Sequence, residues 1–227
     1  MCGRFVTYIP LEQIIKDFDI DISLIDDYSP NYNIAPTNEV LAIYEKENQK
    51  TLNKFRWGLV PFWAKDPSIG YKMINARKET LSERKTYKPL IKNKRCAIVS
   101  NGFYEWRREG NQKIPYYIKL KNNKPFSFAG LYDVWTDKDE NKLISCTIIT
   151  TSPNDKVAQI HDRMPVILEK EDTEKWIRSE HDFEYVKNML TAKKSEEIDL
   201  YQVSKNINSP KNNSKYNIIP EKENKLF

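Results

Sequence analysis

The chain opens Met1-Cys2-Gly3-Arg4-Phe5. Methionine is commonly trimmed when the next side chain is small, so Cys2 is expected to become the first residue. A thiol with a reference pKa of about 8.5 and an α-amine of about 7.7 to 8.0 would then lie two carbons apart, both partly available as nucleophiles near neutral pH. Such a 1,2-aminothiol is suited to aldehydes. The amine condenses to an imine, and the thiol adds intramolecularly to close a five-membered thiazolidine, a step favoured by proximity. Gly3 leaves the backbone room for a ligand to come close. The plainer alternative is an incidental Cys2 in a buried first strand.

Other candidates lie far along the chain. His161, in Ile160-His161-Asp162-Arg163-Met164-Pro165, has charged surroundings suited to titration, although a structural histidine fits the same pattern. Glu105 sits in Asn101-Gly102-Phe103-Tyr104-Glu105-Trp106. Desolvation among those rings would raise its pKa toward the range of a general acid, whereas an exposed cluster would leave it an ordinary carboxylate. In Ile74-Asn75-Ala76-Arg77, Asn75 and Arg77 alternate along an extended segment, which would put an amide and a guanidinium on one face. The stretch from Arg56 to Lys65 interleaves rings with prolines; Trp63, near Lys65, is the candidate for stacking on an unpaired base, and Trp57 the candidate for the core.

The elements that must position these groups are mostly short strands. Runs at 40–44, 95–100, 116–120, 126–129, 143–150 and 165–168 are β-branched or aromatic and bounded by Pro, Asn, Gly or charge. Residues 11–18 carry Leu11, Ile14, Ile15 and Phe18 at helical spacing after Pro10; 174–177 and 183–190 read as later helices, and 205–216 as an ordered loop or tail. The expected fold class is α+β, a mainly antiparallel, curled or barrel-like sheet with flanking helices. No repeat or clean linker interrupts the chain, so one domain over residues 2–227 is expected.

Composition narrows the function classes. No run approaches the roughly 20 apolar residues of a membrane span, and the amino terminus has no apolar signal region; a cytoplasmic protein is expected. Cysteines at 2, 96 and 146 lack metal-ligand spacing, so neither a disulfide framework nor a metal is indicated, and no cofactor is implied. The net charge of +5 permits a polyanion without demanding one. Residues 84–95 contain six basic side chains (Arg84, Lys85, Lys88, Lys92, Lys94, Arg95) and no acid, either a phosphate-tracking footprint or a solvated face.

The motifs in order are Cys-Gly-Arg-Phe, Tyr32-Asn33-Ile34-Ala35-Pro36, Trp-Gly-Leu-Val-Pro, Ile-Asn-Ala-Arg, Gly-Phe-Tyr-Glu-Trp and His-Asp-Arg-Met-Pro. Together they strongly resemble the SRAP family, the abasic-site processing proteins also called SOS response-associated peptidases. The resemblance runs from residue 2 to about residue 220, through Val203-Ser204-Lys205 and Asn208. It implies Cys2 as covalent nucleophile toward the ring-opened sugar of an abasic site, with His161 promoting ring opening, Glu105 shuttling protons and Asn75 bonding the adduct. It also implies that Arg4, Arg77 and Arg163 grip flanking phosphates and that Pro36 and Trp63 support neighbouring bases. The partner would be single-stranded DNA bearing an abasic site, bound by a monomer, with a competing lyase reaction by β-elimination and autoproteolysis limited to exposing Cys2.

Two other readings stand beside this one. N-terminal nucleophile glutamine amidotransferases also begin with Cys-Gly, and Asn101-Gly102 would then build an oxyanion hole. A non-enzymatic single-strand-binding module would use the basic run and the aromatics but leaves the amino-terminal arrangement unexplained.

Overall fold

Residues 2–221 are described by the computed structural model; the expected loss of Met1 and the end of the expected domain, residues 222–227, lie outside them. The strands in chain order are β1 (Phe5–Thr7), β2 (Ile22–Ser23), β3 (Asn31–Ile34), β4 (Glu39–Lys46), β5 (Gln49–Trp57), β6 (Asn75–Arg77) and β7 (Arg95–Ser100). There follow β8 (Gly102–Glu109), β9 (Gln112–Leu120), β10 (Phe126–Thr136), β11 (Lys142–Thr151), β12 (Met164–Pro165), β13 (Ile167–Leu168) and β14 (Ile198–Gln202). The α-helices are α1 (Leu11–Asp17), α2 (Leu90–Asn93), α3 (Asp155–Ala158), α4 (Lys170–Ile177) and α5 (Phe183–Val186). The α+β expectation with a curled, mainly antiparallel sheet is borne out.

Five strands close on themselves. β11 pairs with β10, β10 with β7, β7 with β4 and β4 with β5, all antiparallel. β5 then returns to β11 through a short parallel seam, Arg56 beside Ser145 and Trp57 beside Cys146. Closure removes the exposed edges that an open sheet presents to other chains. Its central strand β7 is buried at every position, which is why residues 96–99 read as an unbroken apolar run rather than an alternation. A second antiparallel sheet has the order β14-β9-β8-β1-β3.

Phe5 joins the two sheets. It pairs with Phe103 of β8 while its ring meets Trp57 edge-on at 5.1 Å and Phe128 at 5.4 Å. Burying a side chain of this size contributes roughly 2 to 3 kcal/mol, so the start of the chain is anchored within one residue of Arg4. A separate apolar cluster under α1, α4 and α5 is centred on Trp176, whose Nε1 donates to the Cys96 and Gly130 carbonyls.

Local readings and structure differ in instructive places. The helix expected over 183–190 is α5 followed by a 3-10 turn, and 205–216 contains 3-10 turns capped by Ser204 and Ser214. β5 and β8 were not anticipated as strands, because polar and charged residues break their apolar pattern. The basic run also divides: Arg84, Lys85, Lys88 and Lys92 are exposed, but Lys94 pairs with Asp133 at 2.6 Å. Arg95 is buried, its guanidinium donating to carbonyls of Trp176, Ile91, Lys92, Arg178 and His181, and so is excluded from a phosphate footprint.

Candidate active site

Backbone pairing brings the amino terminus to Glu105. The Tyr104 N–H donates to the Arg4 carbonyl at 2.9 Å, continuing the β1–β8 ladder toward Cys2. On the other side Asn75 donates from Nδ2 to the Cys2 carbonyl at 2.8 Å. The Asn75 amide oxygen is buried with no hydrogen-bond partner, an acceptor without a role in the fold. β6 holds Asn75 by pairing in parallel with β11, and Ala76 turns inward while Arg77 is exposed, the alternation expected for this segment.

Trp57 and its following glycine brace β6 from behind. Trp57 Nε1 donates to the Ile74 carbonyl at 2.9 Å, and Leu59 N–H to the Met73 carbonyl at 3.1 Å. Gly58 has φ +124°, and a Cβ there would lie 2.7 Å from the Gly70 carbonyl oxygen. The Trp-Gly pair therefore lets two backbones touch.

His161 lies between α3 and β12. Its N–H donates to the Val157 carbonyl at 2.9 Å, and its Nδ1 accepts the Arg163 N–H at 3.0 Å. That hydrogen-bond pattern assigns the neutral ring's proton to Nε2, which faces Glu105 Oε2 at 4.0 Å. Asp162 Oδ1 is 2.8 Å from Nδ1 and would favour the charged ring instead.

Burial sets the electrostatics. Cys2 is fully buried, which pushes its thiol well up, and the nearby Glu105 carboxylate pushes it further; the Arg4 N–H bonded to the sulfur acts oppositely. Glu105 is 2% exposed and its carboxyl is pushed up to about 7, chiefly by burial. His161 is pulled below its ordinary value, again chiefly by burial. Near neutrality the site holds a carboxyl that can give or take a proton beside an uncharged imidazole.

Glu105, Trp106, Arg108, Lys113, His161 and Asn208 line an open cleft of about 430 Å³. A larger hollow of about 700 Å³ between α1 and α4 contains none of the expected site residues. Trp106 donates from Nε1 to Asn208 Oδ1 at 2.8 Å and carries the Arg4 guanidinium 5.9 Å above its ring. Arg4 also donates to Asn33 Oδ1 and the Ile207 carbonyl. No phosphate-binding or cleft-lining role was assigned to Trp106, Arg108, Lys113 or Asn208 from sequence. The two cations could have been found from the hairpin turn at Gly110-Asn111, which pairs Arg108 with Lys113.

The remaining expected contacts have distinct surroundings. Trp63 is 52% exposed beside the still more open Phe62, and Pro36 is half-buried after β3. Arg163 is buried and held bidentately by Glu79 at 2.9 and 2.8 Å, with a further bond to the Thr150 carbonyl. In this state its forked face is turned to Glu79 rather than open to a phosphate. Asn101 and Gly102 are engaged by the fold: Asn101 Oδ1 accepts the Tyr8 N–H, its carbonyl accepts the Tyr117 hydroxyl, and a Cβ on Gly102 would collide with the Tyr117 ring. That packing removes the support for an Asn-Gly oxyanion hole.

Comparison with known proteins supplies relatives over nearly the whole chain. Residues 1–210 match the family described as SOS response associated peptidase (SRAP). The chain is 47% identical over 217 residues to "Abasic site processing protein YoqW" of Bacillus subtilis (strain 168), covering 94% of this chain and 97% of that one. To "Abasic site processing protein HMCES" of Gallus gallus it is 32% identical over 228 residues, covering 85% and 67% respectively. A crystal structure of a protein from Bacteroides thetaiotaomicron superposes with a TM-score of 0.88 at 28% identity, over 97% of this chain and 100% of the other.

Proposed function

The chain belongs to the SOS response associated peptidase (SRAP) family, and from that premise we propose that it processes abasic sites in single-stranded DNA, bonding to them covalently through Cys2 once Met1 is removed. The observation that carries the reading is the buried Glu105 carboxyl, 4.0 Å from the His161 imidazole and within electrostatic reach of the Cys2 thiol.

The chemistry follows from those groups. His161 Nε2–H gives its proton to the sugar ring oxygen as the bond to C1′ breaks, while Glu105 in its ionised form takes the proton of the C1′ hydroxyl and returns one to the imidazole, giving an aldehyde and a 4′-hydroxyl. The Cys2 amine adds to C1′ and water leaves, forming an imine. The thiol sulfur then bonds to the same carbon while its proton passes, through Glu105, to the imine nitrogen, closing the thiazolidine. A thiol this deeply buried is not ionised near neutrality, so a proton acceptor beside it is required, and a carboxyl with a pKa near 7 suits that task in both directions. Asn75 holds the Cys2 carbonyl and offers its unpartnered amide oxygen to the adduct.

If the imine instead loses a proton from C2′, the 3′ phosphate leaves by β-elimination, so capture and strand cleavage compete. Arg4, Arg77 and Arg163 would position flanking phosphates, the last only after Glu79 lets go, and Trp63 with Pro36 would support adjacent bases. The working unit is a monomer over residues 2–227, cytoplasmic and gathered at the nucleoid by damaged DNA.

The test is to incubate the purified chain, verified by intact mass to begin at Cys2, with a single-stranded oligonucleotide carrying one abasic site. A denaturing gel without borohydride should show a shifted band that is absent for Cys2→Ala. No band from the wild type, or equal crosslinking by Cys2→Ala, would overturn the mechanism.

A further inference from the structure

Two cations on the β8–β9 hairpin share the cleft of Glu105 and His161 without a structural task. Arg108 and Lys113 are cross-strand partners, so their side chains emerge next to each other rather than on opposite faces. Both are exposed, and neither forms an ion pair among the described residues. Their neighbours differ: Arg107 is paired with Glu109 and stacks on Tyr116, and Lys119 reaches Asp199. Two like charges held side by side repel, an arrangement that an anion between them relieves.

Resting on the reading of the cleft as the abasic-sugar site, we propose that Arg108 and Lys113 together hold one of the two phosphates attached directly to the captured sugar. They line the same 430 Å³ cleft as the two groups that act on that sugar, so a sugar at Glu105 and His161 carries its own phosphodiester toward them. Arg108 is also among the charges that disfavour the imidazolium of His161, which puts its guanidinium within electrostatic reach of the ring. Trp106, hydrogen-bonded to Asn208 and covered by Arg4, lines the same cleft beside them. A guanidinium supplies a directional fork and an ammonium a point charge, a pairing suited to one tetrahedral anion.

The test uses a single-stranded oligonucleotide with a tetrahydrofuran abasic analogue, which binds but cannot react, in three forms: all-phosphate, with a neutral methylphosphonate on the 5′ side of the analogue, and with one on the 3′ side. Affinity is measured across a salt series for wild type and for Arg108→Gln/Lys113→Gln. One neutral linkage should weaken wild-type binding about tenfold and flatten the log K against log salt slope by about 0.7. The double variant should show the same loss on all-phosphate DNA and no further loss from that neutral linkage. Independent, additive losses would overturn the proposal, as would a double variant that binds all-phosphate DNA like wild type. Crosslinking of a true abasic oligonucleotide by the wild type, run alongside, keeps failure of this inference distinct from failure of the covalent mechanism.

Discussion

Nε2 of His161 stands 4.0 Å from Oε2 of Glu105, beyond hydrogen-bonding distance yet close enough for one substrate oxygen to touch both. Burial raises the carboxyl and lowers the imidazole, inverting their usual order, so that a protonated Glu105 and a neutral His161 coexist just below neutrality. Under the proposed mechanism, acid and base roles can therefore exchange between the forward reaction and its reversal.

The Glu105 carboxyl makes stability fall as pH rises. Its folded value of about 7 exceeds its ordinary 4.5, so between those values the unfolded chain releases a proton that the folded chain keeps. Stability from this group is full below 4.5 and is lost progressively up to 7, a difference of about 3 kcal/mol at most. Glu105→Gln should accordingly gain stability relative to wild type in urea melts at pH 8, and gain nothing at pH 4.5. A pH-independent difference would contradict the buried-carboxyl assignment.

His161→Ala should slow capture of an abasic oligonucleotide by about a hundredfold while leaving affinity for the tetrahydrofuran analogue within about twofold. Single-turnover rates and equilibrium titrations separate the two effects. Equal losses in both would make His161 a structural residue, a role consistent with its bond to the Arg163 N–H.

Glu79 occupies the Arg163 guanidinium that the proposed function gives to a DNA phosphate. Its carboxylate is held below the usual range by bonds from that guanidinium, and the pair is bidentate. Glu79→Gln should tighten binding to single-stranded DNA about threefold and steepen its salt dependence, since a phosphate contact is gained. Unchanged binding would mean that Arg163 serves only to tie β11 to the segment after β6.

Gly58→Ala should cost about 2 kcal/mol or more, because the position combines φ +124° with a Gly70 carbonyl 2.7 Å from the added carbon. Urea denaturation gives the loss directly. The same variant should reduce crosslinking more than DNA binding, since the strain falls on the bracing of β6 and so on Asn75.

Much of the architecture was readable locally. Strand runs such as 95–100 and 143–150 and the helix at 11–18 announced themselves through residue type and period. β8 did not, because Glu105, Arg107 and Arg108 interrupt its apolar pattern, and two of them, Glu105 and Arg108, line the cleft. The division between Trp57 inside and Trp63 outside matched the expectation, since one is flanked by strand residues and the other by prolines and charge.

By itself the sequence determined which chemical groups are present, in what order, and that short strands carry them; the family followed from that order. Only the tertiary structure decided what each group can do. Arg95 and Arg163 look as basic as Arg108 in the chain, yet one binds five carbonyls and another a carboxylate, while the third is left open at the cleft. The same holds for Glu105, whose carboxyl is pushed up to about 7 because the fold buries it away from water. The physical reason is that period and residue type are local properties, whereas desolvation and the choice of partner depend on residues brought together from across the whole chain.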